Sequence, residues 1–284
     1  MTERILVVGS VNLDFVAAAA KLPAPGETVT GAKLTSHPGG KGANQALAAR
    51  RLGAVVGLQA CVGLDAMAEE ALALLRADGV DLSRLHVDPH SPTGVALIAV
   101  SADGENQIVV APGANDRLLP EHIEAIDASV LLMQLDVPIP TVVRAAEKAK
   151  GLVIVNLAPA IEVPQTLLQR ADVLIVNEGE AQSYGASLDG LGALIVTTLG
   201  ERGARMVKGG RLVAEAPAPK ITAVDTTGAG DAFVGAFTVA LLERRTGGEA
   251  LAFACAAGAL AATRAGAQTS LPWRSEVEAM LRGA

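Results

Sequence analysis

The stretch "AVDTTGAGDAF" (223–233) sets two carboxylates, Asp225 and Asp231, around a run of small residues. Gly228 and Gly230 free the backbone to turn tightly, and the Ala-, Val- and Phe-rich segment after Asp231 predicts a helix. Asp231 then falls in that helix's first turn, beside backbone N–H groups with no partner inside the helix. Such a helix start attracts anions, phosphate above all, because the orphan donors and the macrodipole point the same way. A carboxylate placed there would sit next to a bound phosphate. The same residues also suit an ordinary helix start and turn, so other parts of the chain must decide.

Several stretches bear on that choice. "GSVNLD" (9–14) puts Asn12 and Asp14 just past an apolar run, where their donors and acceptors suit a hydroxyl-rich ligand or, equally, an Asx turn. "GGKGANQA" (39–46) combines flexible backbone at Gly39, Gly40 and Gly42 with a cation at Lys41 and Asn44 in the start of a helix, which suggests phosphate or a polar ligand held near the backbone. "VNEGE" (176–180) spaces Asn177 and Glu180 as a helix cap, or as a pair holding waters around magnesium. "TLGERG" (198–203) reads as a hairpin turn or a ligand loop. His86 and His90 lie four apart with Pro89 between them and no acidic or thiol partner completing a metal set, so they are expected as solvated loop residues. Neither G-x-x-x-x-G-K-[ST] nor a G-x-G-x-x-G after the first strand is present, which disfavours a P-loop ATPase and an ordinary Rossmann dehydrogenase.

These residues need a frame to bring them together. Runs of Val, Ile and Leu at 4–9, 54–63, 129–135, 152–158, 172–177 and 193–200 lack apolar–polar alternation, as strands covered on both faces do. Helical stretches at 41–52, 65–77, 138–149, 164–170 and 178–185 alternate with them, implying an α/β fold with a parallel, helix-covered sheet whose ligands bind at the carboxyl ends of its strands. Two segments, 14–34 and 93–111, read instead as hairpins turning at Pro-Gly and Asp-Gly; together they predict a small separate sheet, suited to act as a lid and to meet a second subunit, with extra edge strands of the main sheet as the alternative. A short helix is expected in the C-terminal tail.

Composition narrows the partners. With half of the 284 residues hydrophobic and 2% aromatic, the core must be aliphatic and the chain lacks stacking platforms for single-stranded nucleic acid. A formal net charge of −7 opposes binding to a phosphate backbone, so no nucleic-acid partner is expected. The apolar run 250–262 is too short to cross a bilayer, no signal peptide is evident, and Cys61 and Cys255 sit in apolar runs, all pointing to a cytoplasmic protein without a membrane partner.

Taken in order, "VVGSVNLD", "PGETVTG", "GGKGANQA", "CVGLDA", "VVAPGAN", "LMQLDVP", "VNEGEA", "TLGERG", "AVDTTGAGDAFVGAF" and "ATRAGAQTSLPW" resemble the PfkB, or ribokinase-like, family of ATP-dependent sugar kinases over nearly the whole chain. "GGKGANQA" and "TRAGAQTSLPW" resemble its ribokinase branch more than its adenosine kinases or fructokinases. The resemblance implies one three-layer α/β/α domain over 1–284, with lid strands from about 12–36 and 93–111. It implies transfer of the ATP γ-phosphate to O5 of D-ribose, with Asp231 as general base and the N–H groups of Gly228, Ala229 and Gly230 as anion hole. Asn12, Asp14, Gly40, Lys41, Gly42, Ala43, Asn44 and Asp136 would hold the sugar. Asn177, Thr198, Leu199, Gly200, Glu201, Arg202, Gly203 and Gly230 would bind nucleotide, with Glu180 supporting the magnesium water shell. Asp225, Ser270 and the carbonyls of Thr227, Ala261, Arg264 and Gly266 resemble a potassium site, and a homodimer through the lid strands is implied as well.

The chain departs from the family pattern at three places. Asp136 stands where a Glu is usual, shortening reach by about 1.5 Å. Cys255 stands where a more polar residue often borders the nucleotide, suggesting an aliphatic adenine pocket, and His37 and Pro38 replace an aromatic residue. Alternative readings are a kinase of another pentose, deoxyribose or a nucleoside, and a non-catalytic sugar- or nucleotide-binding regulator.

Overall fold

The unbroken apolar runs form strands that feed two cores, which is why they show no alternation. In the first strand Ile5 and Val7 point into one core while Leu6 and Val8 point into the other. The computed structural model describes residues 4–283. Its first half comprises β1 (Arg4–Val8), β2 (Asn12–Ala18), β3 (Lys33–Gly39), α1 (Lys41–Arg51), β4 (Val55–Gln59), β5 (Cys61–Gly63), α2 (Ala66–Ala77), β6 (His86–Asp88), β7 (Gly94–Val100) and β8 (Asn106–Ala111). There follow β9 (Val130–Met133), α3 (Ile139–Lys148), β10 (Leu152–Asn156), α4 (Gln165–Arg170), β11 (Val173–Asn177), α5 (Glu178–Tyr184) and β12 (Leu194–Thr198). The last part holds β13 (Ala204–Lys208), β14 (Arg211–Ala216), α6 (Ala229–Leu242), α7 (Gly247–Ala262) and α8 (Arg274–Arg282).

An eight-stranded sheet in the order β14-β13-β12-β11-β10-β9-β1-β4 forms the middle layer. It is parallel from β4 to β12 and ends in the antiparallel strands β13 and β14. One core joins this sheet to α1, α2, α6, α7 and α8, and the other joins it to α3, α4 and α5. The β13–β14 hairpin is absent from the expected strands, although its turn, Gly209–Gly210 with both residues at positive φ, is an ordinary hairpin signal. No helix among the described residues is long and apolar enough to cross a membrane.

The small separate sheet is present, with four strands in the order β3-β2-β7-β8. Its topology differs from two paired hairpins. β7 and β8 do turn at Asp103–Gly104, where Gly104 has φ +88°. The expected Pro-Gly hairpin is replaced by a long connection from 19 to 32, because β2 is an inner strand that pairs antiparallel with β3 and parallel with β7. β3 also runs on to Gly39, so His37 and Pro38 belong to this sheet. His86 is likewise not a loop residue: it lies in β6, stacked on His122 with ring centroids 4.2 Å apart, whereas His90 is an exposed loop residue.

Candidate active site

Asp231 is where the sequence places it, in the first turn of α6 behind the N-cap Gly228, whose φ of +77° is left-handed. The Ala229 N–H is engaged by Thr226 O at 3.1 Å, while Gly228 and Gly230 N–H have no backbone acceptor among the described residues. Both oxygens of Asp231 accept hydrogen bonds from α1: Asn44 Nδ2 to Oδ2 and Gln45 Nε2 to Oδ1, each at 2.8 Å. Burial nevertheless dominates, pushing the carboxyl up to about 6 against the pull of those amides and Lys41.

The helix carrying these amides starts close against the β1–β2 turn. Gly40, at φ +88°, is its N-cap, and Ala43 N–H reaches Ser10 O at 2.9 Å. Lys41 opens the helix and pairs with both oxygens of Asp136 at 3.1 Å, and Ser10 Oγ donates to the same carboxylate at 3.0 Å. Burial opposes the charge of Lys41, but Asp136, then Asp231 and Glu180, outweigh it and hold its pKa above the ordinary range. On β2, Asn12 Oδ1 accepts from Asn115 Nδ2 at 2.8 Å. Burial, reinforced by Asp231 and opposed by Lys41, pushes Asp14 up to about 6.

A cleft of about 210 Å³ opens over this group, lined by Lys41, Asn177, Glu180, Thr198, Gly228, Gly230 and Asp231, among others. Asn177 and Glu180 form the cap of α5: Asn177 Oδ1 accepts from Glu180 N at 2.8 Å and Glu180 Oε2 from Asn177 N at 2.7 Å. The cap reading and the cleft reading therefore hold together. Burial raises the Glu180 carboxyl above its usual range. Of the 198–203 loop only Thr198 lines the cleft; Arg202 pairs with Glu178, and Leu199, Gly200, Glu201 and Gly203 lie outside it. Cys255 does not line it either. Its thiol is buried in α7 with Sγ 3.9 Å from Ala216 O, and burial pushes it up to about 11.

Asp225 lies outside the cleft and ties two loops, accepting from Thr227 N at 2.9 Å and from Gly266 N at 2.8 Å. Burial would raise its carboxyl, but those hydrogen bonds outweigh it and keep the pKa below the usual range. The Ala261 carbonyl accepts from Arg264 N at 3.2 Å, and Ser270 Oγ donates to Ala267 O at 2.8 Å.

Sequence reasoning missed Ser10, Gln45, Asn115, Gln134 and Asn156. A signal was present: a polar residue closes almost every apolar strand, with Ser10 just after β1, Gln59 ending β4, Gln134 after β9, Asn156 ending β10 and Thr198 ending β12. Those carboxyl ends are where a parallel sheet binds ligands.

Known proteins show the family to which this fold belongs. Residues 2–274 match the pfkB family carbohydrate kinase profile. The curated ribokinase of Bacillus subtilis is 39% identical, covering 98% of this chain and 99% of that protein. A curated deoxyribokinase of Salmonella typhi is 33% identical over 94% of this chain and 95% of its own. The structure of Arabidopsis thaliana ribokinase complexed with ribose and ATP superposes with a TM-score of 0.89 at 30% identity, covering 99% of both chains. With the three-layer fold and the family match in agreement, the chain belongs to the pfkB family of carbohydrate kinases.

Proposed function

We propose that this chain is an ATP-dependent ribokinase that works as one unit and makes D-ribose 5-phosphate. The observation that carries the reading is Asp231 itself: a carboxylate in the first turn of α6, beside the unengaged N–H groups of Gly228 and Gly230, in a cleft also lined by Lys41 and Glu180. In this reading the sugar's O5 attacks the γ-phosphorus, its proton passes to Asp231, and the bond from phosphorus to the β-phosphate oxygen breaks to release ADP. A positioned base contributes about 10²–10⁴-fold. The N–H groups at Gly228 to Gly230 stabilise charge on the transferring group, with the Ala229 donor freed only by exchange from Thr226. Asn12, Asp14, Asp136 and the Gly40–Asn44 turn hold the sugar, and Lys41 faces the phosphates.

The donor set fits magnesium nucleotide: Glu180, Asn177 and Thr198 line the same cleft as Gly228, Gly230 and Asp231 at the α6 start. Magnesium would supply charge neutralisation on the phosphates, held through waters by Glu180. The remaining 198–203 residues and the neighbourhood of Cys255 would contact the nucleotide base only beyond this cleft. A potassium ion fits at Asp225, with Ser270 and the carbonyls of Thr227, Ala261, Arg264 and Gly266. Asp225 already ties the segment of Thr227 to that of Gly266, and Ala261 lies near the end of α7, so a cation there would brace the α6 start. The small sheet acts as lid and as homodimer surface, supported by Leu34 and Val109, which are 66% and 65% exposed. Buried free cysteines fit a cytoplasmic setting.

A second reading, deoxyribose or another pentose, is favoured by one observation. Asp136 is drawn onto Lys41 and Ser10, and so presents a different acceptor from a longer glutamate.

The test is the initial rate of ADP formation with MgATP and potassium on ribose, 2-deoxyribose, fructose and adenosine, for wild type and Asp231→Asn. Highest kcat/KM on ribose with at least about 10²-fold loss in the variant supports the proposal. Preference for another sugar shifts the assignment to the second reading, and no reaction with any of them defeats the catalytic one. Equal rates in potassium and in a large organic cation would remove the Asp225 assignment. A monomeric mass by light scattering would remove the dimer.

A further inference from the structure

Beneath Asp231 lies a chain of buried amides that the reaction as described does not use. Gln45 is fully buried on α1, and its Nε2 donates both to Asp231 Oδ1 at 2.8 Å and to Asn156 Oδ1 at 2.9 Å. Its Oε1 accepts from Gln134 Nε2 at 2.5 Å, and Gln134 is fully buried too. Asn156 Nδ2 in turn donates to the Ile175 carbonyl at 3.2 Å. An amide has a donor end and an acceptor end, and a carbonyl can only accept. The Ile175 carbonyl therefore fixes the Asn156 nitrogen toward β11 and its oxygen toward Gln45. Gln45 must meet that oxygen with its nitrogen, and Gln134 receives the Gln45 oxygen from the other side. Reversing Gln45 would set its oxygen against the oxygens of both Asp231 and Asn156.

The packing that brings Gln45 there is also specific. Gly235 lies one turn beyond Asp231 on α6, and a Cβ at that position would stand 2.7 Å from Ala48 Cβ and 3.0 Å from Gln45 O. Without a side chain at Gly235, α1 and α6 approach closely enough for Gln45 to reach the carboxylate.

We propose that Gln45, oriented by Gln134 and Asn156, is a positioning residue that holds Asp231 as an ionised acceptor and sets the pH at which it can take a proton. The inference rests on Asp231 being the base. Burial alone would keep a carboxyl protonated further up the pH scale, and a donor fixed on Oδ1 opposes that. Other charged groups face Asp231 as well: Asp14 from β2, Lys41 from α1, Asp136 from the segment after β9, and Glu180 from α5 by way of Lys41. None of the hydrogen bonds of Gln45 or Gln134 reaches Asp14, so replacing either amide acts on that carboxyl only through Asp231.

The experiment is kcat/KM for the sugar against pH from about 5 to 9, for wild type, Gln45→Met, Gln134→Met and Asp231→Asn, with circular dichroism to verify folding. Gln45→Met keeps length and loses the donor. Its acid limb should move up by about one pH unit, a loss of about fivefold at pH 6 that nearly vanishes at pH 8. Gln134→Met, which leaves every cleft residue in place, should move it the same way by less, and decides the matter alone if Gln45→Met does not fold. A folded Gln45→Met with an unmoved limb, or with a loss equal at all pH values, overturns the proposal. Full activity in Asp231→Asn instead overturns the base assignment on which it rests, so the two failures are told apart.

Discussion

Replacing Gly42 by Ala puts a single methyl where the structure has none to spare. Gly42 is in the first turn of α1 without a positive φ, so alanine suits its backbone and would by propensity alone add about 0.5–1 kcal/mol of stability. The added Cβ, however, would stand 2.5 Å from Gly9 C and 2.6 Å from Ser10 N. Ordinary contact needs roughly 1 Å more, and both neighbours are backbone, so the helix start and the β1–β2 turn must part by about that distance. Overpacking of this kind costs about 1–3 kcal/mol, a fall in Tm of roughly 2–10 °C for a chain of this size. Function should suffer more. Lys41, Asn44 and Gln45 ride on that helix start, and a displacement of about 1 Å at a reacting group costs about 10²-fold. Gly230→Ala provides the contrast, because its Cβ meets nothing within 4 Å and stands at the wall of the cleft. It should keep or raise Tm while lowering kcat/KM by crowding the bound phosphates. Sugar-dependent ADP release and a thermal scan on both variants are sufficient. The reasoning is refuted if Gly42→Ala keeps kcat/KM within about twofold of wild type.

Three further outcomes are expected. Asp14 and Asp231, both raised to about 6, keep protons in the folded protein that the unfolded chain releases near pH 4, so their contribution to stability falls as pH rises through that window. Urea midpoints at about pH 4.5 and 7 should differ less in Asp14→Asn/Asp231→Asn than in wild type, and an undiminished difference would assign the dependence to other groups. Cys61 and Cys255, each buried and pushed up to about 11, should react with a thiol reagent only as fast as the protein opens, so fast labelling in native buffer would contradict their burial. Asp136→Glu adds about 1.5 Å of reach and should change the ratio of ribose to deoxyribose kcat/KM by severalfold; an unchanged ratio would show that Asp136 does not set sugar preference.

Most of the frame was legible because buried parallel strands and the helices between them leave unambiguous runs in the chain. The apolar stretches 4–9, 129–135 and 172–177 became β1, β9 and β11, and Asp231 fell in the first turn of its helix as its glycines required. The small sheet was visible as segments but not as a topology. Val16 and Ile98 are neighbours through parallel pairing of β2 with β7, a long-range choice that no local turn records. At the site, the charged groups and the amides of Asn12, Asn44 and Asn177 announced themselves by type and place, whereas the buried amides of Gln45, Gln134 and Asn156 did not. Gln45 and Asn156 acquire meaning only when folding brings α1 and the end of β10 to the same carboxylate.

The small sheet and the proposed sugar site share an element: β2 begins at Asn12, carries Asp14 and continues to Ala18, with Asn12 opposite Gly39 and Gly94. Asn12 is anchored to the body by Asn115, while Asp14 lies two residues farther along the same strand. The small sheet is therefore not an exchangeable module. A chimera that imports residues 12–39 from a relative transplants Asn12 and Asp14, two of the proposed sugar contacts, together with the sheet. Evolution faces the same constraint: a change in the packing of this sheet and a change at Asn12 or Asp14 should be inherited together.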